Sequence, residues 1–164
     1  MINITQRINP EQNIDDYIEL PFDRRQKSRL RVKTKSGLDA ALFLERGHIL
    51  RGGDCLKSEN GLVIQVIAAQ EPVYDVTAKT PHALMRAAYH LGNRHVPLQV
   101  GDGFLRLEQD YVLKEMLLGL GMQVAETDAP FEPEAGAYGG GHRHGHEDDD
   151  KIVNLRPLRK PLHG

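Results

Sequence analysis

Thr80-Pro81-His82-Ala83-Leu84-Met85-Arg86-Ala87-Ala88-Tyr89-His90-Leu91-Gly92 decides how this chain is read. It is the first segment whose apolar residues recur at helical spacing, with Ala83, Leu84, Ala87, Ala88 and Leu91 on one stripe. Thr80 stands as an N-cap and Pro81 in the first turn, which predicts a helix over 81–91. Gly92 or Asn93 is expected to take the left-handed conformation that stops it. A second helix is predicted over 110–120. Its stripe is Val112, Leu113, Met116, Leu117 and Leu120, its cap Asp110 and its stop Gly121. Strands are expected around them at 73–78, 97–100, 104–109 and 122–126, with a hairpin through Gly101-Asp102-Gly103. The order is βαββαβ, a ferredoxin-like arrangement over residues 72–132.

Upstream the period changes to two. Strands are predicted at 1–8, 17–22, 29–35, 38–44, 48–56 and 62–69, the fifth interrupted by Gly52-Gly53-Asp54. In 29–35, Leu30, Val32 and Thr34 share one face and Arg29, Arg31, Lys33 and Lys35 the other; Leu38, Ala40, Leu42 and Leu44 share a face of the next strand. Residues 1–71 therefore read as a small sandwich or barrel-like β domain, with Glu71-Pro72 marking its boundary. After Asp128 the pattern fades into Pro, Gly, Glu and Asp, and 133–164 reads as a disordered tail rich in His and Asp that buries no core. The expected class is α+β: an all-β N-terminal domain, a ferredoxin-like domain and this tail.

Composition narrows the function. The 164 residues carry 21 Lys+Arg against 23 Asp+Glu, a net charge of −2, which argues against a nucleic-acid binder held by bulk charge. No Trp is present and aromatics are 5 %, so base-stacking platforms are poorly supplied. No apolar run is long enough for a membrane span, and the first residues lack both a cationic start and an apolar signal core. A single cysteine, Cys55, excludes an internal disulfide and reads as a buried small hydrophobe; reducing cytoplasm is the expected location. No nucleophile elbow, P-loop or HExxH motif occurs, so the chain is not expected to be an enzyme.

The chemistry lies in the eight histidines. His142, His144 and His146 alternate with Arg143 and Gly145 on a glycine-rich leash, followed by Glu147 and Asp148 to Asp150. Imidazoles at this spacing in a flexible chain can turn to one first-row transition metal, and the carboxylates concentrate cations around them. The bland alternative is a solvated tail that binds metal adventitiously. His95, in Gly92-Asn93-Arg94-His95-Val96-Pro97, is held just past a helix C-terminus, where the dipole modestly favours a cation. One imidazole is too few for a tight site; a twofold axis would supply a second, whereas a loop histidine that merely caps the helix is the competing reading. His82 and His90 read as a solvated helix face and His48 as a turn residue. The basic run Arg24, Arg25, Lys27, Arg29, Arg31, Lys33 and Lys35 reads as the solvent face of a strand, with docking of a protein partner or RNA as the alternative.

Taken together, the β-rich first domain, the Asn93-Arg94-His95 motif at the first helix end, Asp110-Tyr111-Val112-Leu113 and the His-rich tail resemble the urease accessory protein UreE family over essentially the whole chain. The resemblance implies a cytoplasmic nickel metallochaperone that supplies Ni²⁺ for urease assembly, with Zn²⁺ or Cu²⁺ as competitors. It implies a homodimer through the ferredoxin-like domains, His95 from each subunit on one metal, tail histidines adding ligands, and a peptide- or partner-binding first domain. The implied partners are an accessory GTPase and apo-urease, with no nucleic acid and no membrane. Some members carry further histidines at the start of the second helix, associated with copper. Here those positions read Gln109, Asp110 and Tyr111, which shifts weight onto His95 and the tail. Histidine binds metal as neutral imidazole, so affinity is expected to fall as pH drops through about 6.5. Competing readings are a nickel or zinc store acting through the tail, an RNA-associated protein, and a protein-binding adaptor.

Overall fold

The computed structural model describes residues 1–136. The tail expected over 133–164 lies outside the described residues from residue 137 onward, and with it His142, His144 and His146.

The alternating segments form one six-stranded sheet. Its strands are β1 (Ile2–Ile8), β2 (Asp16–Leu20), β3 (Arg29–Lys33), β4 (Asp39–Phe43), β5 (Cys55–Ser58) and β6 (Val63–Ala68), in the order β2-β6-β5-β1-β4-β3. The inward positions, among them Ile4, Ile18, Leu42, Leu56 and Ile64, are fully buried and pack together. Cys55, next to Leu56 on β5 and outside that cluster, is buried as well, as expected of a small hydrophobe. The sheet coils until its two edges meet. Past the end of β3, Lys35 donates its N–H to the Tyr17 carbonyl of β2 at 2.8 Å. Buried Asp16 accepts there from the Ser36 hydroxyl and from the N–H groups of Ser36 and Tyr17. Burial pushes its pKa up, but hydrogen bonds from Ser36, Thr34 and Tyr17 outweigh it and hold the carboxyl below its usual value. The expected strand over 48–56 keeps only β5; Ile49 to Asp54 is loop, turned at Gly53 with φ 93°.

Between β2 and β3 lies a helix the alternation did not announce, α1 (Phe22–Arg25). It changes the reading of the basic run. Arg25 is fully buried, Arg24 donates to the Arg31 carbonyl, Lys35 pairs with Glu19 at 2.6 Å, and Arg29 lies over the Phe43 ring. Arg29, Arg31 and Lys33 stand exposed along the outer face of β3, the solvent face expected of that strand.

The second sheet follows the sequence closely. β7 (Gln70–Thr77), α2 (Pro81–Asn93), β8 (Gln99–Val100), β9 (Leu105–Glu108), α3 (Tyr111–Gly119) and β10 (Gln123–Pro130) give strand order β10-β7-β9-β8, antiparallel at every pairing. This is the ferredoxin-like order. Thr80 Oγ1 accepts from Ala83 N–H and Asp110 Oδ1 from Leu113 N–H, both at 3.1 Å, so both predicted caps operate. The helices bury Ala87, Leu91, Leu113 and Leu117 against Tyr74, Val76, Leu105 and Leu107. At the hairpin, Gly101 has to lack a side chain, since a Cβ there would stand 2.1 Å from the Phe104 ring. Two strands run longer than expected. β7 passes unbroken through Glu71-Pro72, and β10 follows it residue for residue from Gln123 opposite Thr77 to Pro130 opposite Gln70. Among the described residues no helix is long and apolar enough to cross a membrane.

A third, smaller core joins the sheets: Phe22 of α1, Ile49, Val73 of β7 and Phe131, with the Phe22 and Phe131 rings edge to face at 5.4 Å.

Candidate metal centre

The end of α2 departs from expectation in an informative way. Gly92 and Asn93 do not stop the helix; both are helical, Arg94 is the C-cap, and the left-handed residue is His95, at φ 57°. Its N–H donates to the Gly92 carbonyl at 3.1 Å. Among the described residues it is the one non-glycine with positive φ. The physical reason lies downstream, where Val96 and Leu98 pack against the core of the second sheet. The chain therefore stays helical until one residue before it must turn inward, and Pro97 bars any resumption. A left-handed histidine carries roughly 1–2 kcal/mol of strain that glycine would not.

His95 itself is exposed, at the negative end of the α2 dipole. Its neighbours Asn93 and Arg94 are exposed as well. Its imidazole is held by a short loop fixed on both sides, by α2 before it and by Val96 to Leu98 after it. Among the described residues no three of His, Cys, Asp or Glu come together as a metal-binding group. His95 thus presents one exposed imidazole from a stretch of backbone fixed on both sides. The other histidines are arranged differently. His82 is exposed on α2, His90 is half-buried edge-on to Tyr89, and His48 lines a cleft with Thr5, Gln6, Arg7 and Glu45. At the start of α3, Gln109 donates to the Val73 carbonyl, Asp110 caps the helix and Tyr111 is exposed.

What pattern reading missed is the strap after β10. Glu134 N–H donates to the Leu98 carbonyl at 2.8 Å, and Glu132 N–H to Gln99 Oε1 at 2.8 Å. The chain therefore runs toward its last segment alongside the loop that carries His95. No periodicity signals this, because the strap belongs to neither helix nor strand. The acidic residues at the other end of β9 are the remaining feature of charge. Partial desolvation, together with the Glu71 and Asp23 carboxylates, raises the pKa of Glu108, although the residue stays exposed at the end of β9.

Comparison with known proteins follows the same division. Residues 2–69 match the family model described as UreE urease accessory protein, N-terminal domain, and residues 71–154 that described as its C-terminal domain. The urease accessory protein UreE of Nitrosospira multiformis is 48 % identical over 164 residues, covering 99 % of this chain and 93 % of its own. That of Cupriavidus necator is 59 % identical over 128 residues, 78 % of this chain and 67 % of its own. That of Ectopseudomonas mendocina is 52 % identical over 153 residues, 93 % of this chain and 92 % of its own.

Proposed function

This chain belongs to the UreE urease accessory protein family, and from that premise we propose that it is a nickel metallochaperone for urease maturation, an accessory protein and not an enzyme. The observation that carries the reading is His95: an exposed imidazole held in a strained backbone conformation where glycine would be cheaper, beside the strap from which the histidine-rich tail departs.

In this reading, residues 72–132 bind metal and dimerise, 1–71 dock a partner, and the His-rich part of 133–164, beyond the strap held at Glu134, supplies the ligand arm. His95 from each of two copies faces one Ni²⁺ across a twofold axis. Large apolar side chains left exposed on α2, Met85 at 64 % and Tyr89 at 66 %, support a subunit contact on the same helix that ends at His95. His142, His144 and His146 complete the shell. From Glu134, held beside Leu98, only eight residues lead to His142. Eight residues of this glycine-rich composition, taken as a coil, span about 15 Å root-mean-square, and His95 lies three Cα steps from Leu98, at most about 10 Å. The arm therefore reaches the fixed histidine. A shell part rigid and part mobile suits hand-over, because a receiving protein can replace the arm's ligands one at a time. Imidazole and carboxylate suit Ni²⁺ without thiolate, but Cu²⁺ would bind more tightly and Zn²⁺ competes. Selectivity then rests on metal supply and on docking to the accessory GTPase and apo-urease in the cytoplasm.

The test is calorimetric nickel titration of the intact chain, of His95→Ala and of a chain ending at Tyr138, with dimer state followed in parallel. The expected result is that His95→Ala removes a tight site of one ion per two chains, while truncation removes weaker ions or loosens the tight one. Should His95→Ala bind like the parent and only truncation matter, the protein is a tail-based nickel or zinc buffer.

A further inference from the structure

One strand face of the first domain carries charge that its own sheet does not answer. On the outer face of β3, Arg29, Arg31 and Lys33 stand opposite Phe43, Ala41 and Asp39 of β4. A sheet is stabilised by opposite charges set directly across from each other. Lys33 has that arrangement, with Asp39 at 3.9 Å. Arg29 and Arg31 do not. The first lies 5.3 Å from the centroid of the exposed Phe43 ring, and the second faces the small side chain of Ala41. Arg24 joins them from α1, since its Nη2 donates to the Arg31 carbonyl at 2.9 Å. Among the described residues none of these three arginines pairs with a carboxylate. The whole chain carries a net charge of −2, so this face is no sample of its average.

The kind of cation matters as much as its sign. Lysine keeps exposed strands soluble and is depleted where proteins meet, whereas arginine and aromatic side chains are enriched there. A guanidinium presents a planar fork that grips a carboxylate through two hydrogen bonds, which an ammonium cannot do. Spacing gives the shape of the occupant. Alternate residues of a strand rise by about 6.8 Å, so Arg29 and Arg31 match carboxylates on alternate residues of an extended chain laid along β3. The face is also bounded, because Asp39 stands at its Lys33 end and Glu19 pairs with Lys35 just beyond. A polyanion charged at every residue would run onto those two carboxylates, while a segment with a few acidic side chains stops short of them. That favours a protein over a nucleic acid.

We infer that the outer face of β3 docks an extended acidic segment of a partner protein, with Arg24, Arg29 and Arg31 on its carboxylates and Phe43 packed beside them. This deepens, and rests on, the reading that residues 1–71 dock a partner. It asks nothing of the nickel site.

The test is fluorescence anisotropy on the full chain with three labelled probes. They are a peptide with glutamates at alternate positions between threonines, an isomer with its glutamates contiguous, and a single-stranded RNA of mixed sequence. The alternating peptide is expected to bind several-fold tighter than its isomer, and more weakly as salt rises. Arg29→Glu with Arg31→Glu should weaken it at least about fivefold. Lys57→Glu with Lys79→Glu makes the same change in net charge at exposed positions on β5 and ahead of α2, and should leave it unaltered. Should the first pair not fold, Arg29→Gln with Arg31→Gln carries the same comparison. Equal losses from the two pairs would reduce the effect to bulk charge, and equal binding of the two peptides would remove the strand register. RNA held tighter than the alternating peptide, and lost with the same arginines, would make this a nucleic-acid face. No peptide binding by the parent would dismiss the docking face outright. Nickel titration of the Arg29→Glu, Arg31→Glu protein should match the parent, so failure of this face and failure of the nickel reading are seen separately.

Discussion

Helices α2 and α3 end in the same way with different residues, and the contrast is instructive. α3 closes on Gly121, φ 86°, whose N–H donates to Leu118 O while Met122 N–H donates to Leu117 O, the paired hydrogen bonds of a Schellman turn. α2 closes on His95, φ 57°, with its N–H on Gly92 O. The second end, in Asn93-Arg94-His95, spends conformational energy to place an imidazole where the backbone prefers no side chain. Gly121 ends a helix and nothing more. At His95 a full side chain occupies the left-handed corner that glycine fills at the end of α3, at a cost in backbone strain.

The comparison breaks most visibly at His95→Gly. That variant is expected to lose the tight nickel site altogether while melting higher than the parent, since it relieves about 1 kcal/mol of left-handed strain. Nickel titration and a thermal scan on one sample read both signs; a variant that melts lower would remove the argument from strain. Next in size is the reverse exchange. Gly121→Ala has open space for its Cβ, so only the backbone conformation opposes it, and a loss of about 1–2 kcal/mol is expected. In a chain of this size that is a fall in Tm of a few degrees, with nickel binding unaltered. The smallest effect is electrostatic. Glu108 has its pKa raised by partial desolvation and by Glu71 and Asp23, so the folded state holds that proton more tightly than the unfolded chain. Its charge weakens the fold as pH rises from about the ordinary 4.5 through the folded value. Glu108→Gln should therefore be slightly more stable than the parent at neutral pH, the gain vanishing below about pH 4.5. Denaturant titrations at pH 4 and 7 check it, and nickel binding should not change, since Glu108 lies at neither helix end.

Much of the architecture was legible because its causes are local. Thr80 and Asp110 announce helix starts through side chains that bond three residues ahead. The alternation at Leu30, Val32 and Thr34 and at Ala40, Leu42 and Leu44 declares inward faces; Leu38, expected on the second of these, stays 43 % exposed at the turn where that strand begins. Helix α1 was not legible, because four residues leave no periodicity. Nor was Arg25, since nothing local separates a buried arginine from the exposed cations around it. Its four acceptors lie on β2, a loop and the strap, up to 107 positions away.

The same division holds for the site. The histidines, their order and their chemistry are properties of the chain, and so are the βαββαβ pattern and its caps, because each depends on neighbours within a turn or two. Which residue takes the left-handed corner, how far β10 runs, and that the strap passes the loop behind His95 were decided only in three dimensions. Each of these depends on where distant groups allow Val96, Leu98, Phe131 and Glu132 to settle. Local rules state what a segment can do, and long-range packing selects the one arrangement in which all segments do it together.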